Sequence, residues 1–150
     1  GKVESLHMLA NAGGTQSAGA LEQTLVDLAQ VVSDPTPKLI LADELEAITE
    51  PGAGARIIAG MLLAARAQKD TSMMLVTHLA PAIVKASGCD DLRVDGIEAR
   101  GLDANLELIV DRTPIRNHLA KSTPELIVKR LVERSDGGAK TLFSDILNMF

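Results

Sequence analysis

The chain has 150 residues, and its 15 Lys and Arg against 20 Asp and Glu give a formal net charge of −5. An acidic chain lacks the electrostatic footprint of a nucleic-acid-binding protein, so any DNA contact is expected from a partner or from another segment. Hydrophobic residues make up 46% of the sequence and charged residues 23%, which excludes a disordered chain. Aromatic residues, Phe143 and Phe150, make up only 1%, too little for the stacking platforms of single-strand binders.

Length and composition also predict the number of domains and the compartment. At this length one compact domain is expected. The most lipid-like run, residues 57–65 between Arg56 and Arg66, is far shorter than the roughly 20 residues that a membrane helix needs. The single cysteine, Cys89, excludes an internal disulfide, and the first residues lack the order of a signal peptide. We therefore expect a cytoplasmic protein with an aliphatic core and no membrane partner.

The first third of the chain predicts one short element and one helix. An apolar patch at residues 6–10 is typical of a strand or helix fragment that leads into a loop. Apolar residues then recur at helical spacing and predict a helix over residues 17–32: Leu21, Leu25, Leu28 and Val32. Pro35 and Pro37 end this helix, because each proline removes a backbone donor and restricts φ.

The middle of the chain has the pattern of a strand, a helix and a second strand. Residues 38–44 and 72–78 are continuous apolar runs with polar ends, as in parallel strands that are buried on both faces. Residues 53–68 between them have apolar side chains at helical spacing. This order predicts a right-handed crossover and an α/β fold with a mostly parallel sheet and flanking helices.

Polar residues stand at the ends of both predicted strands. Asp43 and Glu44 end the first strand, and His78 ends the second. Because the carboxyl ends of parallel strands meet at one edge of a sheet, we expect these three side chains to lie near each other.

The last third predicts an antiparallel hairpin followed by two helices. Residues 92–100 and 106–110, joined by a turn at Gly101, are typical of an antiparallel pair at the edge of the sheet. A capping box with a proline in the first turn, at residues 122–125, predicts the start of a helix. The glycines at 137 and 138 stop this helix, and residues 141–150 form a last amphipathic segment.

An apolar strand that ends in Asp-Glu is typical of the Walker B arrangement of ATPases. In that arrangement Asp43 holds magnesium through water and Glu44 orients or deprotonates the attacking water. Upstream, Ser17 and Gly19 stand at the start of a predicted helix, where free N–H groups bind phosphate, while His78 is able to hydrogen-bond a γ-phosphate. Taken singly, each signal also has a structural interpretation: a solvated strand end, a serine N-cap or a structural histidine.

In this order the segments resemble the second half of an ABC-type ATPase domain. Within that class the chain resembles the MutS mismatch-repair family, and most of all its archaeal MutS-related branch. The resemblance extends from about residue 15 to residue 131 and is clearest in three segments: residues 17–22, 41–52 and 76–79.

The resemblance implies a partial P-loop NTPase fold with ATP and Mg²⁺ as cofactors. It implies that Asp43 serves magnesium, that Glu44 is the catalytic base and that His78 is the switch histidine. Ser17 and Gly19 would reach the γ-phosphate held by the opposite subunit of an ATP-linked homodimer. The loop over residues 45–52 would lie across the dimer interface, with these residues at its end: Thr49, Glu50, Pro51 and Gly52.

The sequence departs from the family pattern at two segments and in one missing motif. Residues 46–48 replace the Gly-Arg-Gly that MutS proteins usually have, and Ala18-Gly19 replaces their Thr-Phe. No G-x-x-x-x-G-K-[ST] motif, which cradles the β- and γ-phosphates, occurs in the 150 residues. We therefore expect the C-terminal half of a nucleotide-binding domain, which is inactive alone, whose N-terminal ATPase half is missing, and whose DNA contacts come from other domains.

A second reading is a non-catalytic ATPase-like module for interaction or dimerisation, which has the same sequence features. Both readings predict an exposed apolar edge of the sheet. A hydrolase triad of Ser17, His78 and Asp43 lacks the required glycine, because position 15 is Thr15. A cluster of basic residues is a solvated face or a partner contact: Arg112, Arg116, Lys121, Lys129 and Arg130.

Overall fold

A computed structural model describes residues 2–10, 18–45, 49–120 and 123–150. The chain divides into two compact units, Gly1–Leu92 and Arg93–Phe150. Within the described residues, no helix is both long enough and apolar enough to cross a membrane.

The first unit is an α/β layer with a three-stranded parallel sheet. Its elements, in chain order, are β1 (Ser5–Ala10), α1 (Ala18–Ser33), β2 (Lys38–Asp43), α2 (Pro51–Ala67), β3 (Thr71–Val76) and α3 (Ala80–Ser87). The strands lie in the order β1-β2-β3. The predicted α/β fold with a parallel sheet and flanking helices is confirmed.

The core of this unit lies between one face of the sheet and the helices. Ala42 of β2 packs there with Leu28 of α1, Ile58 of α2 and Ile83 of α3. In β1 and β3, half-buried and exposed side chains alternate, as expected when only one sheet face is covered.

The opposite face of the sheet has exposed apolar side chains on both outer strands: Leu6 and Met8 on β1, and Met74 and Val76 on β3. The parallel register places Met8 beside Leu41 and Leu41 beside Met74. The sequence predicted an exposed apolar edge of the sheet, whereas the exposed apolar side chains described here lie on one of its faces.

The connections show why the elements begin and end where they do. The helix α1 ends before Pro35, and the carboxylate of Asp34 accepts a hydrogen bond from the Thr36 N–H, 3.0 Å away. Pro51 opens α2, since its fixed φ suits the first turn of a helix. The helix α3 was not predicted, although Pro81 in its first turn and Gly88 (φ +67°) after its end are the expected punctuation of a helix.

The second unit contains irregular chain followed by two helices. The edge hairpin predicted for residues 92–110 is not confirmed. In the described residues of this unit, antiparallel pairing is limited to isolated bridges, Gly96 with Ile115 and Leu102 with Leu108. The chain does reverse direction here, but the turn lies over residues 103–106, where the Leu106 N–H donates to the Asp103 carbonyl at 3.0 Å, and the Ile109 N–H donates to the Gly101 carbonyl across it at 3.0 Å. Pairing is therefore local and too short for strands.

The two helices of this unit are α4 (Thr123–Arg134) and α5 (Gly137–Leu147). The predicted capping box begins at Ser122, which lies outside the described residues. The predicted helix stop at Gly137 is correct for α4, but the same glycine also begins α5, four residues before the predicted start. Asp136 is the N-cap of α5, and aspartate at this position favours a helix start.

Candidate active site at the carboxyl edge of the sheet

The carboxyl ends of β2 and β3 bring a glutamate and a histidine into contact. Asp43, the last residue of β2, pairs with Val76, the last residue of β3. Beyond it, the Glu44 N–H donates to the Val76 carbonyl at 2.9 Å. This extension of the ladder leaves Glu44 Oε1 at 2.9 Å from His78 Nε2. The expected proximity of the acidic pair and the histidine is therefore observed between Glu44 and His78.

This pair is open to solvent. The side chains of Glu44 and His78 are 54% and 83% exposed, and Asp43 is exposed as well. Exposed ion pairs add little to stability because water screens their attraction. The arrangement therefore places two carboxyl side chains and an imidazole where a ligand can reach them, and it contributes little to the stability of the fold.

The backbone at Glu44 has an unusual conformation. Its φ is +49°, in the left-handed region that side-chain-bearing residues seldom adopt. The next residue, Leu45, is only 1% exposed and packs in the core with Ile58 and Ile83. The chain thus turns sharply at the residue that contacts His78.

His78 stands in a short turn between β3 and α3. The Leu79 N–H donates to the Thr77 hydroxyl at 3.0 Å, a local side-chain to backbone bond that is typical of turns at helix starts. This bond orders the backbone on both sides of His78.

The loop residues predicted for a dimer interface lead into α2. Thr49 is half-buried, whereas Glu50, Pro51 and Gly52 are exposed. The Glu50 carbonyl accepts the Gly54 N–H at 2.8 Å. Residues 46–48 lie outside the described residues, and the placement of this loop at an interface stays a prediction.

The two residues predicted to act on the opposite subunit lie near the start of α1. Ser17 lies outside the described residues, while Gly19 is exposed in the first turn of the helix. A Cβ built on Gly19 would meet no atom within 4 Å. The role of both residues toward a second subunit stays a prediction.

The donor chemistry at this edge suits magnesium better than a softer metal. Asp43 offers an exposed carboxylate, the hard oxygen ligand that Mg²⁺ binds, usually while keeping several waters. Among the described residues, no three His, Cys, Asp or Glu side chains are grouped as a metal site. An exposed carboxylate can serve as one ligand of a hydrated Mg²⁺, and magnesium at this edge stays a prediction.

Sequence reasoning found the residues that meet at the edge but missed Leu45. The available signal was an apolar residue directly after two acids, at the position where the strand ends. Only the packing shows that this leucine, rather than Glu44, enters the core.

The fold and this edge define an α/β protein whose parallel strands end in acidic and histidine side chains. A scan against the models of known protein families finds no match. The chain is 45% identical over 133 residues to the DNA-binding protein MutS2 of Pyrococcus furiosus, a match that covers 89% of this chain and 23% of that protein. The resemblance to MutS-related proteins is thereby confirmed, and the chain spans about a quarter of the relative's length.

Proposed function

We propose that this chain is part of the ATP-binding and ATP-hydrolysing domain of a MutS-like DNA-repair or recombination ATPase. The observation that supports this most is the hydrogen bond between Glu44 and His78, directly beside Asp43, at the carboxyl edge of parallel strands. In open parallel sheets this edge is the usual position of a ligand site. The relative's name, a DNA-binding MutS2 protein, suggests the wider process.

Each residue of the edge has a distinct part in the proposed reaction. Glu44 orients the attacking water and accepts its proton, while His78 hydrogen-bonds the carboxylate or the γ-phosphate. Asp43 would hold Mg²⁺ through water. When bound, the ion neutralises phosphate charge. Because Glu44 is half exposed, closure over the site is needed to exclude bulk water during hydrolysis.

In the proposed protein, the phosphate cradle belongs to another part of a longer chain. The 150 residues contain no G-x-x-x-x-G-K-[ST] motif, and they match 23% of the relative. In the intact protein, an ATP-linked homodimer would place Ser17 and Gly19 of one subunit at the γ-phosphate of the other. The net charge of −5 favours DNA contacts through other domains.

The test is a substitution that removes the charge but keeps the size of the side chain, made in the full-length protein that contains this chain. Glu44→Gln keeps the size of the side chain but removes the base, so steady-state ATP turnover should fall by about 10²- to 10⁴-fold. Binding of ATP should persist and the ATP-bound dimer should accumulate in size-exclusion chromatography. Glu4→Gln, an exposed acid before β1, is the matched control and should leave turnover unchanged.

Normal turnover in the Glu44→Gln protein would remove Glu44 from the reaction. The exposed apolar face of the sheet, with Leu6, Met8 and Met74, favours a second candidate, a non-catalytic interaction module. That candidate predicts a full-length protein that has no ATPase activity with or without the substitution.

A further inference from the structure

The alternation of buried and exposed side chains along β2 reverses where the strand ends. Lys38, Ile40 and Ala42 are buried, so a continuing strand would bury residue 44 and expose residue 45. The structure has the reverse order: Glu44 is exposed and Leu45 is buried.

The left-handed residue accounts for this change of phase. Glu44 keeps the sheet hydrogen bond from its N–H to the Val76 carbonyl, so the chain leaves the strand after that bond. With φ at +49° at Glu44, the next side chain rotates into the core instead of out of it. A buried carboxylate would be costly at this position, whereas a buried leucine is favourable.

The contact between Glu44 and His78 does not hold this geometry by itself. Both side chains are more than half exposed, and an exposed pair is too weak to compensate for a left-handed backbone at a non-glycine residue. Burial of Leu45 stabilises this geometry more than the exposed pair does, since Leu45 is among the most completely buried large side chains of the described residues.

We propose that Leu45 is a positioning residue: its burial between α2 and α3 drives the left-handed turn at Glu44 and so holds the Glu44 carboxylate against the His78 imidazole. The consequence for hydrolysis rests on the function proposed above, whereas the geometric claim does not.

The first experiment measures the imidazole nitrogens of His78 by long-range ¹H–¹⁵N correlation NMR on the whole chain. Leu45→Ala should move these nitrogen shifts toward those of Glu44→Gln, because the carboxylate is no longer held at Nε2. Leu45→Val, which removes one methylene and keeps the fold, should produce part of the same change. Leu45→Met keeps an apolar side chain of similar volume that is unbranched at Cβ and should give the wild-type shifts.

The matched control is Ile40→Ala, at a fully buried residue of β2 that lies outside the cluster of buried side chains containing Leu45. It should lower the stability comparably and leave the His78 nitrogen shifts unchanged. Wild-type shifts in Leu45→Val and Leu45→Ala, or an equal change in Ile40→Ala, would overturn the proposal.

The second experiment uses ATP turnover by the full-length protein. Leu45→Val should lower kcat by about 10- to 100-fold and leave KM for ATP unchanged, since misplacement of a catalytic group by a fraction of an ångström to 1 Å has effects of this size. Ile40→Ala should keep the wild-type kcat. If the wild-type protein has no turnover, the proposed function fails, while the nitrogen shifts still decide whether Leu45 positions Glu44.

Discussion

Lys38 lies inside the fold at the first position of β2 and is only 2% exposed. Its ammonium group donates to the Asp34 carbonyl and to the Thr71 hydroxyl. A buried charged group is tolerated when its donors are satisfied. The amino-terminal end of the sheet is therefore closed by polar contacts that join β2 to β3 and to the loop after α1.

Two substitutions of Lys38 distinguish the stabilisation from its packed apolar stem from the stabilisation by its charged ammonium group. Lys38→Ala should lower the free energy of unfolding by about 2–4 kcal/mol, because a cavity forms and carbonyl and hydroxyl groups lose a donor. Lys38→Met keeps the apolar volume and should cost at least about 1 kcal/mol less than Lys38→Ala. Urea unfolding measures both, with Lys69→Met, in the exposed turn before β3, as the surface control. Equal losses in the two Lys38 variants would contradict a packing role for the stem.

Asp34 links stability to pH at the same end of the sheet. Hydrogen bonds from the Thr36 N–H and hydroxyl, with the charge of Lys38 and a contact from His7, hold the pKa of the Asp34 carboxyl below its ordinary value. A carboxyl whose pKa is lower when folded stabilises the fold above its unfolded value of about 3.9 and loses that effect as the pH falls through the folded value.

Asp34→Asn should reveal this linkage as a pH-dependent loss of unfolding free energy relative to the wild type. At neutral pH the variant should be less stable, and the difference in unfolding free energy should shrink as the pH falls below about 4. Thr36→Val removes the hydroxyl that donates to Asp34. In the Thr36→Val protein, Asp34→Asn should therefore lower the free energy of unfolding at neutral pH by less than it does in the wild type. Urea unfolding between neutral and acid pH measures it, and a difference that is constant throughout would exclude the linkage.

At the residue scale, the sequence predicted which polar side chains meet but not how they are held. Asp43, Glu44 and His78 follow apolar runs, and parallel strands bring their ends together. The left-handed conformation of Glu44 and the burial of Leu45 depend on packing against α2 and α3, which no local pattern specifies.

At the scale of elements, Gly96 is a position in the irregular segment where the surrounding backbone requires glycine. It exchanges two backbone hydrogen bonds with Ile115, and a Cβ there would lie 2.6 Å from the His118 carbonyl oxygen and 3.0 Å from the Ala120 nitrogen. Both neighbours are backbone atoms, so a larger residue displaces the chain itself.

Gly96→Ala should therefore destabilise the protein by about 1–3 kcal/mol. Gly138→Ala, in the same unit and with nothing within 4 Å of the added Cβ, should be neutral or stabilising by up to about 1 kcal/mol, because alanine favours the helix. Denaturant unfolding of both variants measures this, and similar stabilities would show that the close approach at Gly96 relaxes freely.

Elements with strong periodicity or continuous apolar runs were predicted within a few residues, as β2 and α1 illustrate. The hairpin was not predicted correctly. Its apolar residues alternate as in strands, but the backbone groups of this segment form only isolated bridges. Strand pairing depends on nonlocal hydrogen bonds, which alternation alone does not supply. The start of α5 was misplaced because Gly137 and Gly138, which indicate a stop after α4, are themselves the first residues of α5.

At the scale of the whole molecule, the sequence lacks a phosphate cradle. The chain alone should show no detectable MgATP binding by isothermal titration calorimetry, because the glycine-rich loop supplies many of the phosphate contacts. The full-length protein, measured in the same way, should bind. Tight binding to the isolated chain would mean that these 150 residues contain a complete site, and it would contradict the proposed division of the domain.

What the sequence by itself determined was the parallel α/β arrangement, the identity of the residues at its carboxyl edge and the relationship to MutS-related proteins. These follow from local patterns, namely periodicity, the order of strand and helix, and short motifs. Only the tertiary structure decided that Leu45 rather than Glu44 enters the core, that His78 meets Glu44 at 2.9 Å, and that the second unit has bridges in place of a hairpin. Each of these outcomes depends on which distant side chains and backbone groups compete for the same space, and that competition is settled only when the elements pack.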